Sequence, residues 1–234
     1  MTSGTSGVDD TIGVFTFSGG ACVVCERGPL APFLRIEAQD YLRCPDCAAT
    51  VLDAPHRLSR DDEHAHYLHH ENAPDDPRYR AFLSKLAGPL IARLGAPASG
   101  LDYGCGPGPA LAAMLREAGH EVALFDPFFA PDPAPLDATY DFVTCTEVAE
   151  HFHAPAVEFA RLRALVRPGG WLALMTSFQT EDARFAGWRY RQDPTHVVFY
   201  REQTFRHLAE LWGWECEIPA KDVVLMRRPG KGPA

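Results

Sequence analysis

The chain has 234 residues, 46% of them hydrophobic, which is enough to bury a full core as one or two domains. A formal net charge of −9 gives no overall positive field, which weighs against nonspecific binding to phosphate backbones and leaves room only for an RNA gripped locally. No apolar run reaches the roughly eighteen residues of a membrane span, and the polar opening Met1 to Asp10 lacks a signal peptide's regions, so the expectation is a cytoplasmic protein.

Residues 1–12 read as a disordered tail. The segment 13–54 carries Cys22-x-x-Cys25 and Cys44-x-x-Cys47, two pairs of soft thiolates at the spacing of a zinc ribbon. Bound zinc would replace the core that so short a segment cannot build, and four protein ligands leave no open position for catalysis. Two disulfides are the alternative, and they need an oxidising compartment. Cys105, Cys145 and Cys216 read as small core or loop residues.

Residues 55–97 read as a helical lid or linker. His64, His66, His69 and His70, with Glu63 and Glu71 among them, suggest a solvated helix face more than a ligand set. Arg80 to Leu94 follows as a helix, with Phe82, Leu83, Leu86, Leu90, Ile91 and Leu94 near a 3.6-residue period. Pro89 is expected to kink or restart it.

The catalytic domain is expected over 98–228, with a short tail at 229–234. In Leu101-Asp102-Tyr103-Gly104-Cys105-Gly106-Pro107-Gly108-Pro109, alternate glycines follow a short apolar strand, and a main chain without Cβ atoms lets a ligand approach closely. A helix from Pro109 to Ala118 and a strand from Glu121 to Phe125 complete half of a βαβ unit, and Asp126 ends that strand where such folds bind a ribose. The proline-rich stretch Pro127 to Thr139 is expected as a loop in place of a helix and strand. Further strands are expected at Asp141 to Cys145, Trp171 to Thr176, Glu215 to Ile218 and Asp222 to Met226, giving six with Gly100 to Tyr103, and helices at Pro155 to Leu165 and Gln203 to Trp212. The fold class is α/β: a Rossmann-like, mostly parallel sheet flanked by helices, with a small N-terminal zinc-ribbon subdomain.

Asp102-x-Gly104-x-Gly106-x-Gly108, Asp126, Tyr140-Asp141-Phe142-Val143-Thr144-Cys145 and Leu165-Val166-Arg167-Pro168-Gly169-Gly170-Trp171-Leu172 together resemble the class I S-adenosylmethionine-dependent methyltransferases over Tyr79 to Met226. The resemblance implies S-adenosylmethionine as cofactor, with its methionine part at the glycine loop and its ribose hydroxyls on Asp126. The implied cofactor contacts are Asp102, Tyr103, Gly104, Gly106, Asp126 and Thr146, with Tyr67, Asn72 and Tyr79 from a lid. A nicotinamide enzyme fits less well, because the loop is not G-x-G-x-x-G and no second βαβ half follows.

Ligands of open α/β sheets bind at the carboxyl ends of the strands, and here one strand ends in Glu147, Val148, Ala149, Glu150 and His151. Glu147, Glu150 and His151, at i, i+3 and i+4, would share one face of a helical turn, and His196 follows on the same edge. E-x-x-E-H with a later histidine resembles the metal site of small-RNA 2′-O-methyltransferases and, in part, of ubiquinone-pathway O-methyltransferases. That resemblance implies a second divalent ion held by Glu147, Glu150, His151 and His196; His151 or His196 as a lone general base is the alternative, with Glu147 also in the catalytic set. The same acids in metal-free relatives bind cofactor or helix ends while the histidine packs.

Phe178, Phe185, Trp188, Tyr190, Phe199 and Tyr200 could stack a flat acceptor or pack on one another, and Arg184, Arg189 and Arg191 would suit an anionic group or merely solvate a loop. The reading is methyl transfer to an oxygen or nitrogen of a small molecule. Two alternatives stay open: an rRNA or tRNA methyltransferase whose ribbon holds the RNA, and a weak or inactive methyltransferase fold serving as an interaction module.

Overall fold

A computed structural model describes residues 20–68, 73–95 and 97–230. The expectations for residues 1–12, His69, His70, Glu71 and Asn72 lie outside the described residues.

Two sheets organise the chain. The first strands are β1 (Ala31–Ile36), β2 (Gln39–Arg43) and β3 (Thr50–Leu52), followed by helices α1 (Arg60–Tyr67) and α2 (Pro77–Ile91). Then come β4 (Ser99–Tyr103), α3 (Ala110–Glu117), β5 (Glu121–Phe125), β6 (Tyr140–Thr146), α4 (Pro155–Leu165) and β7 (Val166–Met175). The chain closes with α5 (Asp182–Phe185), β8 (Val198–Phe199), α6 (Glu202–Trp212), β9 (Glu215–Ala220) and β10 (Val223–Arg227).

The larger sheet has the order β5-β4-β6-β7-β10-β9. Its first three pairings are parallel, and β10 runs antiparallel to both neighbours. Because side chains alternate along a strand, both faces bury apolar residues. Phe142, Ala173, Met175 and Leu225 pack with Leu83, Leu86 and Leu115 of α2 and α3, whereas Val143, Leu172, Leu174 and Val224 pack with Phe159 of α4 and Phe205 of α6. The six expected strands form this mostly parallel α/β sheet.

Helix α2 starts at Pro77, which suits a first helical position, and Asp76 caps it by accepting from the Arg78 N–H at 2.9 Å. The helix neither restarts at Pro89 nor reaches Leu94. It carries Pro89 in its last turn, where few bonds remain to be broken, and ends at Ile91. Between β5 and β6 the prolines permit only a short 3-10 turn at Ala134–Asp137, so β5 remains the edge of the sheet, as expected.

The smaller sheet, β1-β2-β3-β8, is antiparallel, and its fourth strand comes from the segment between β7 and α6. Thr50 pairs with Phe199 and Val51 with Val198. The cysteine-bearing segment is therefore sewn into the larger domain. Phe178, Phe185, Phe199 and Tyr200, considered above as a platform for an acceptor, are buried in the joint core. The Phe185 ring lies 5.1 Å from both Tyr41 and Phe199, filling a space that the short ribbon strands cannot fill alone. Among the described residues no helix is long and apolar enough to cross a membrane.

Candidate active site and metal centres

A cavity of about 760 Å³ opens at the carboxyl ends of β4, β5 and β6. Of the residues expected to meet a cofactor, Tyr67, Tyr103, Gly104, Gly106, Asp126 and Thr146 line it. Gly104 has φ +77°, and a Cβ there would lie 2.4 Å from the Val148 side chain, so the turn out of β4 admits only glycine. Gly106, at φ +64°, faces open space.

Asp126 pins this loop. Its Oδ2 accepts from the Gly106 N–H at 3.0 Å, and its Oδ1 accepts from the N–H groups of Phe128 and Phe129 at 2.8 and 3.0 Å. Asp102 does not reach the cavity; it lies buried beneath the loop and accepts from the Thr144 hydroxyl at 2.7 Å. Burial pushes its carboxyl up to about 6. Thr146 lines the cavity, and its hydroxyl, itself buried, has no hydrogen-bond partner among the described residues.

Tyr67 and Tyr79, from α1 and α2, cover one side of the cavity. Burial pushes the Tyr79 phenol up to about 12. The Tyr67 hydroxyl donates to Glu63 at 2.6 Å, one helical turn away. His64 is half-buried and stacks on the cavity residue Phe128 with ring centroids 4.7 Å apart, so it packs rather than standing on a solvated helix face.

At the acidic end, the expected single helical face does not form. Glu147 has φ +53° and donates its N–H to the Met175 carbonyl at 2.8 Å, and only Ala149–His151 make a 3-10 turn. Glu147 lines the cavity, and burial with the nearby charges of Glu150 and Asp222 pushes its carboxyl up to about 9. Glu150 is wholly buried. Its Oε1 accepts from the Tyr190 hydroxyl at 2.5 Å, while its Oε2 has no hydrogen-bond partner among the described residues.

His151 Nδ1 meets the Thr195 carbonyl at 3.1 Å, and His196 Nδ1 meets the Tyr190 carbonyl at 2.7 Å. A carbonyl only accepts, so both Nδ1 atoms carry a proton, and in the neutral ring the lone pair is then on Nε2. Burial holds the His196 imidazole below its ordinary range, against the pull of Glu150, and so favours the neutral ring. One ligand atom each from Glu150, His151 and His196 lies within 4.8 Å of the others; the Glu147 carboxylate stands outside this group.

Glu63, expected on a solvated helix face, is buried and lines the cavity, and Phe128, Phe129, Glu158, Arg161 and Asp193 line it without having been given a role from sequence. Asp193 Oδ1 accepts from the Thr195 N–H at 2.9 Å and the Thr195 hydroxyl at 2.5 Å, a local turn readable in Asp193-Pro194-Thr195. Arg161 donates to Glu158 and to the Tyr103 hydroxyl at 3.1 Å, a pairing with no sequence signal because 58 positions separate Arg161 from Tyr103.

The four ribbon cysteines are buried, free thiols. Cys22 and Cys47 stand 3.7 Å apart at sulfur, as do Cys25 and Cys44. A disulfide requires about 2.05 Å, whereas tetrahedral zinc at Zn–S of about 2.3 Å sets its sulfurs about 3.8 Å apart. The Val24 and Cys47 N–H groups donate to Cys22 and Cys44 sulfur at 3.4 Å, a geometry suited to thiolates.

A glycine loop and ribose-height acid at the carboxyl edge of a parallel sheet are the arrangement of the class I S-adenosylmethionine-dependent methyltransferases. The family described as a methyltransferase domain matches residues 65–217, and the chain belongs to it. The chain is 33% identical over 126 residues to the ubiquinone biosynthesis O-methyltransferase of Burkholderia multivorans, covering 52% of this chain and 50% of that protein. With the protein of the same description from Proteus mirabilis it shares 32% over 139 residues, 57% of each chain. The chain thus spans about half the length of the curated relatives it matches. Among solved structures, 1,6-didemethyltoxoflavin-N1-methyltransferase of Burkholderia thailandensis, with bound 1,6-didemethyltoxoflavin and S-adenosylhomocysteine, is 19% identical, with a TM-score of 0.49, covering 85% of this chain and 99% of that one.

Proposed function

We propose that the chain transfers the methyl group of S-adenosylmethionine to an oxygen or nitrogen of a small molecule, and that Glu150, His151 and His196 hold a divalent cation beside the cofactor. The observation that carries the metal reading is a matched set of donors. Two imidazoles have their Nδ1 atoms tied to backbone carbonyls, which fixes Nε2 as the ligating atom, and the wholly buried Glu150 carboxylate lies within 4.8 Å of both, with Oε1 3.9 Å from His151 Nε2 and Oε2 without a hydrogen-bond partner among the described residues. Mixed carboxylate and imidazole ligands suit magnesium, manganese, iron or zinc.

Within this reading Gly104 and Gly106 let the methionine part lie against the main chain, and the Thr146 hydroxyl supplies a polar contact it now lacks. Asp126 accepts from the ribose hydroxyls, and Asp102 and Tyr103 support the loop from below. Tyr67 and Tyr79 close over the ligand and exclude water. When bound, the sulfonium supplies an electrophilic methyl and the cation lowers the pKa of the acceptor's hydroxyl. Glu150, His151 and His196 orient the acceptor in line with that methyl, which is most of what this reaction asks of an enzyme. Glu147, with its carboxyl pushed up to about 9, holds its proton at neutral pH and so is a hydrogen-bond donor in the cavity, while the acceptor hydroxyl acidified by the cation gives its proton to solvent. The Cys22, Cys25, Cys44 and Cys47 thiolates hold a structural zinc with no open position.

The test is an untargeted screen of cell extracts for a product heavier by one methyl, run with the wild-type chain and with His196→Ala. Product from the wild type alone supports the reading. Equal product from both removes His196 and its cation from it, and S-adenosylmethionine that fails to bind by calorimetry removes the enzyme reading entirely.

A further inference from the structure

Tyr190 grips two of the three candidate ligands at once. Its hydroxyl donates to Glu150 Oε1 at 2.5 Å, and its backbone carbonyl accepts from His196 Nδ1 at 2.7 Å. Its ring also lies on the His196 ring, with centroids 4.1 Å apart. The hydroxyl is fixed in turn by the Thr176 hydroxyl at 3.0 Å and the Ser177 N–H at 3.3 Å. The oxygen that Tyr190 holds, Oε1, is also the one that stands 3.9 Å from His151 Nε2, so this hydrogen bond fixes the carboxylate where it faces the cluster.

The segment that carries Tyr190 is held from behind by the cysteine ribbon. Arg191 donates to the Tyr41 hydroxyl at 3.0 Å, on β2. Next to His196, Val197 donates its N–H to the Glu150 carbonyl and accepts from the Leu52 N–H of β3, both at 2.9 Å. One residue therefore bonds the ribbon's edge to both ligand-bearing turns. Arg57, just beyond β3, adds a donation to the His153 carbonyl at 2.9 Å.

We propose that Tyr190 and the ribbon behind it form one positioning unit for the Glu150, His151 and His196 centre, so that the ribbon's purpose is to set the geometry of that centre. The inference rests on the metal reading above. Groups that orient ligands from outside the coordination sphere commonly change metal affinity by about 10- to 100-fold when removed. The hydroxyl of Tyr190 is such a group, and the hydroxyl of Tyr41 acts on it one step further back through Arg191.

The experiment titrates Mn²⁺ by calorimetry into the full chain with zinc in its cysteine cluster, for wild type, Tyr190→Phe and Tyr41→Phe. S-adenosylmethionine affinity and zinc content are measured on the same samples to show that fold and ribbon persist. The expected result is Mn²⁺ affinity lower by about 10- to 100-fold in Tyr190→Phe, and lower by a smaller factor in Tyr41→Phe, with S-adenosylmethionine affinity and zinc content unchanged. Wild-type Mn²⁺ affinity in both variants overturns the positioning role and leaves the metal reading standing. A wild-type chain that binds S-adenosylmethionine but no Mn²⁺ overturns both, and the methyltransferase assignment survives alone.

Discussion

At the scale of single residues, Asp126 and Asp102 make opposite electrostatic demands. Asp126 sits at the cavity wall, and its carboxylate already organises three backbone N–H groups. Charge-assisted hydrogen bonds are worth about 1.5–3 kcal/mol each, so Asp126→Ala should weaken S-adenosylmethionine binding by about tenfold or more. Calorimetry reads this directly, and an unchanged affinity would remove the ribose assignment. Asp102 is buried away from the cavity, and its carboxyl is raised to about 6 from an unfolded value near 3.9. A raised carboxyl binds its proton more tightly in the folded state, so its contribution is fully present below about pH 4 and is lost as pH rises to about 6. The loss is at most about 3 kcal/mol, and Asp102→Asn should flatten it. Urea midpoints measured across pH 4 to 7 for both chains test this. A wild-type profile no steeper than the variant's contradicts it.

Elements differed in how far the sequence disclosed them. The larger sheet was legible because its central strands are buried on both faces and so read as near-continuous apolar runs, and because glycine and proline punctuate them. Strand β8 was not: two residues carry no periodicity, and its partner β3 lies far back in the chain. The same pairing decides between the two readings of the aromatic segment, in favour of packing. Phe185 and Phe199 look like a free apolar patch until Tyr41 of the ribbon is brought against them. At the site, the glycine loop and Asp126 were readable from spacing. The grouping of Glu150 and His151 with His196, apart from Glu147, depended on a positive φ at Glu147 that no local pattern announces. Because β3 and β8 share a ladder, Cys44→Ser with Cys47→Ser should lower the thermal midpoint of the whole chain in one transition. A separate early transition, with the main one unmoved, would show an independent ribbon.

Across the whole molecule, helices α1 and α2 and the carboxyl edge of the sheet meet at one cavity, and the ribbon is bonded to the segment that carries His196. Acids outnumber bases in the chain, 31 Asp and Glu against 22 Lys and Arg, and Arg161 at the cavity is already engaged by Glu158. No measurable RNA retention is therefore expected even at low salt, where counterion release favours it most, and retention in a filter assay would revive an RNA substrate. Beside the cysteine cluster, the sheet edge is proposed to carry a second metal centre built from Glu150, His151 and His196. Metal analysis of the purified chain and of Glu150→Gln tests it most directly. The account predicts one zinc in both, and a further divalent ion in the wild type that the variant loses; a single equivalent in both proteins would contradict it.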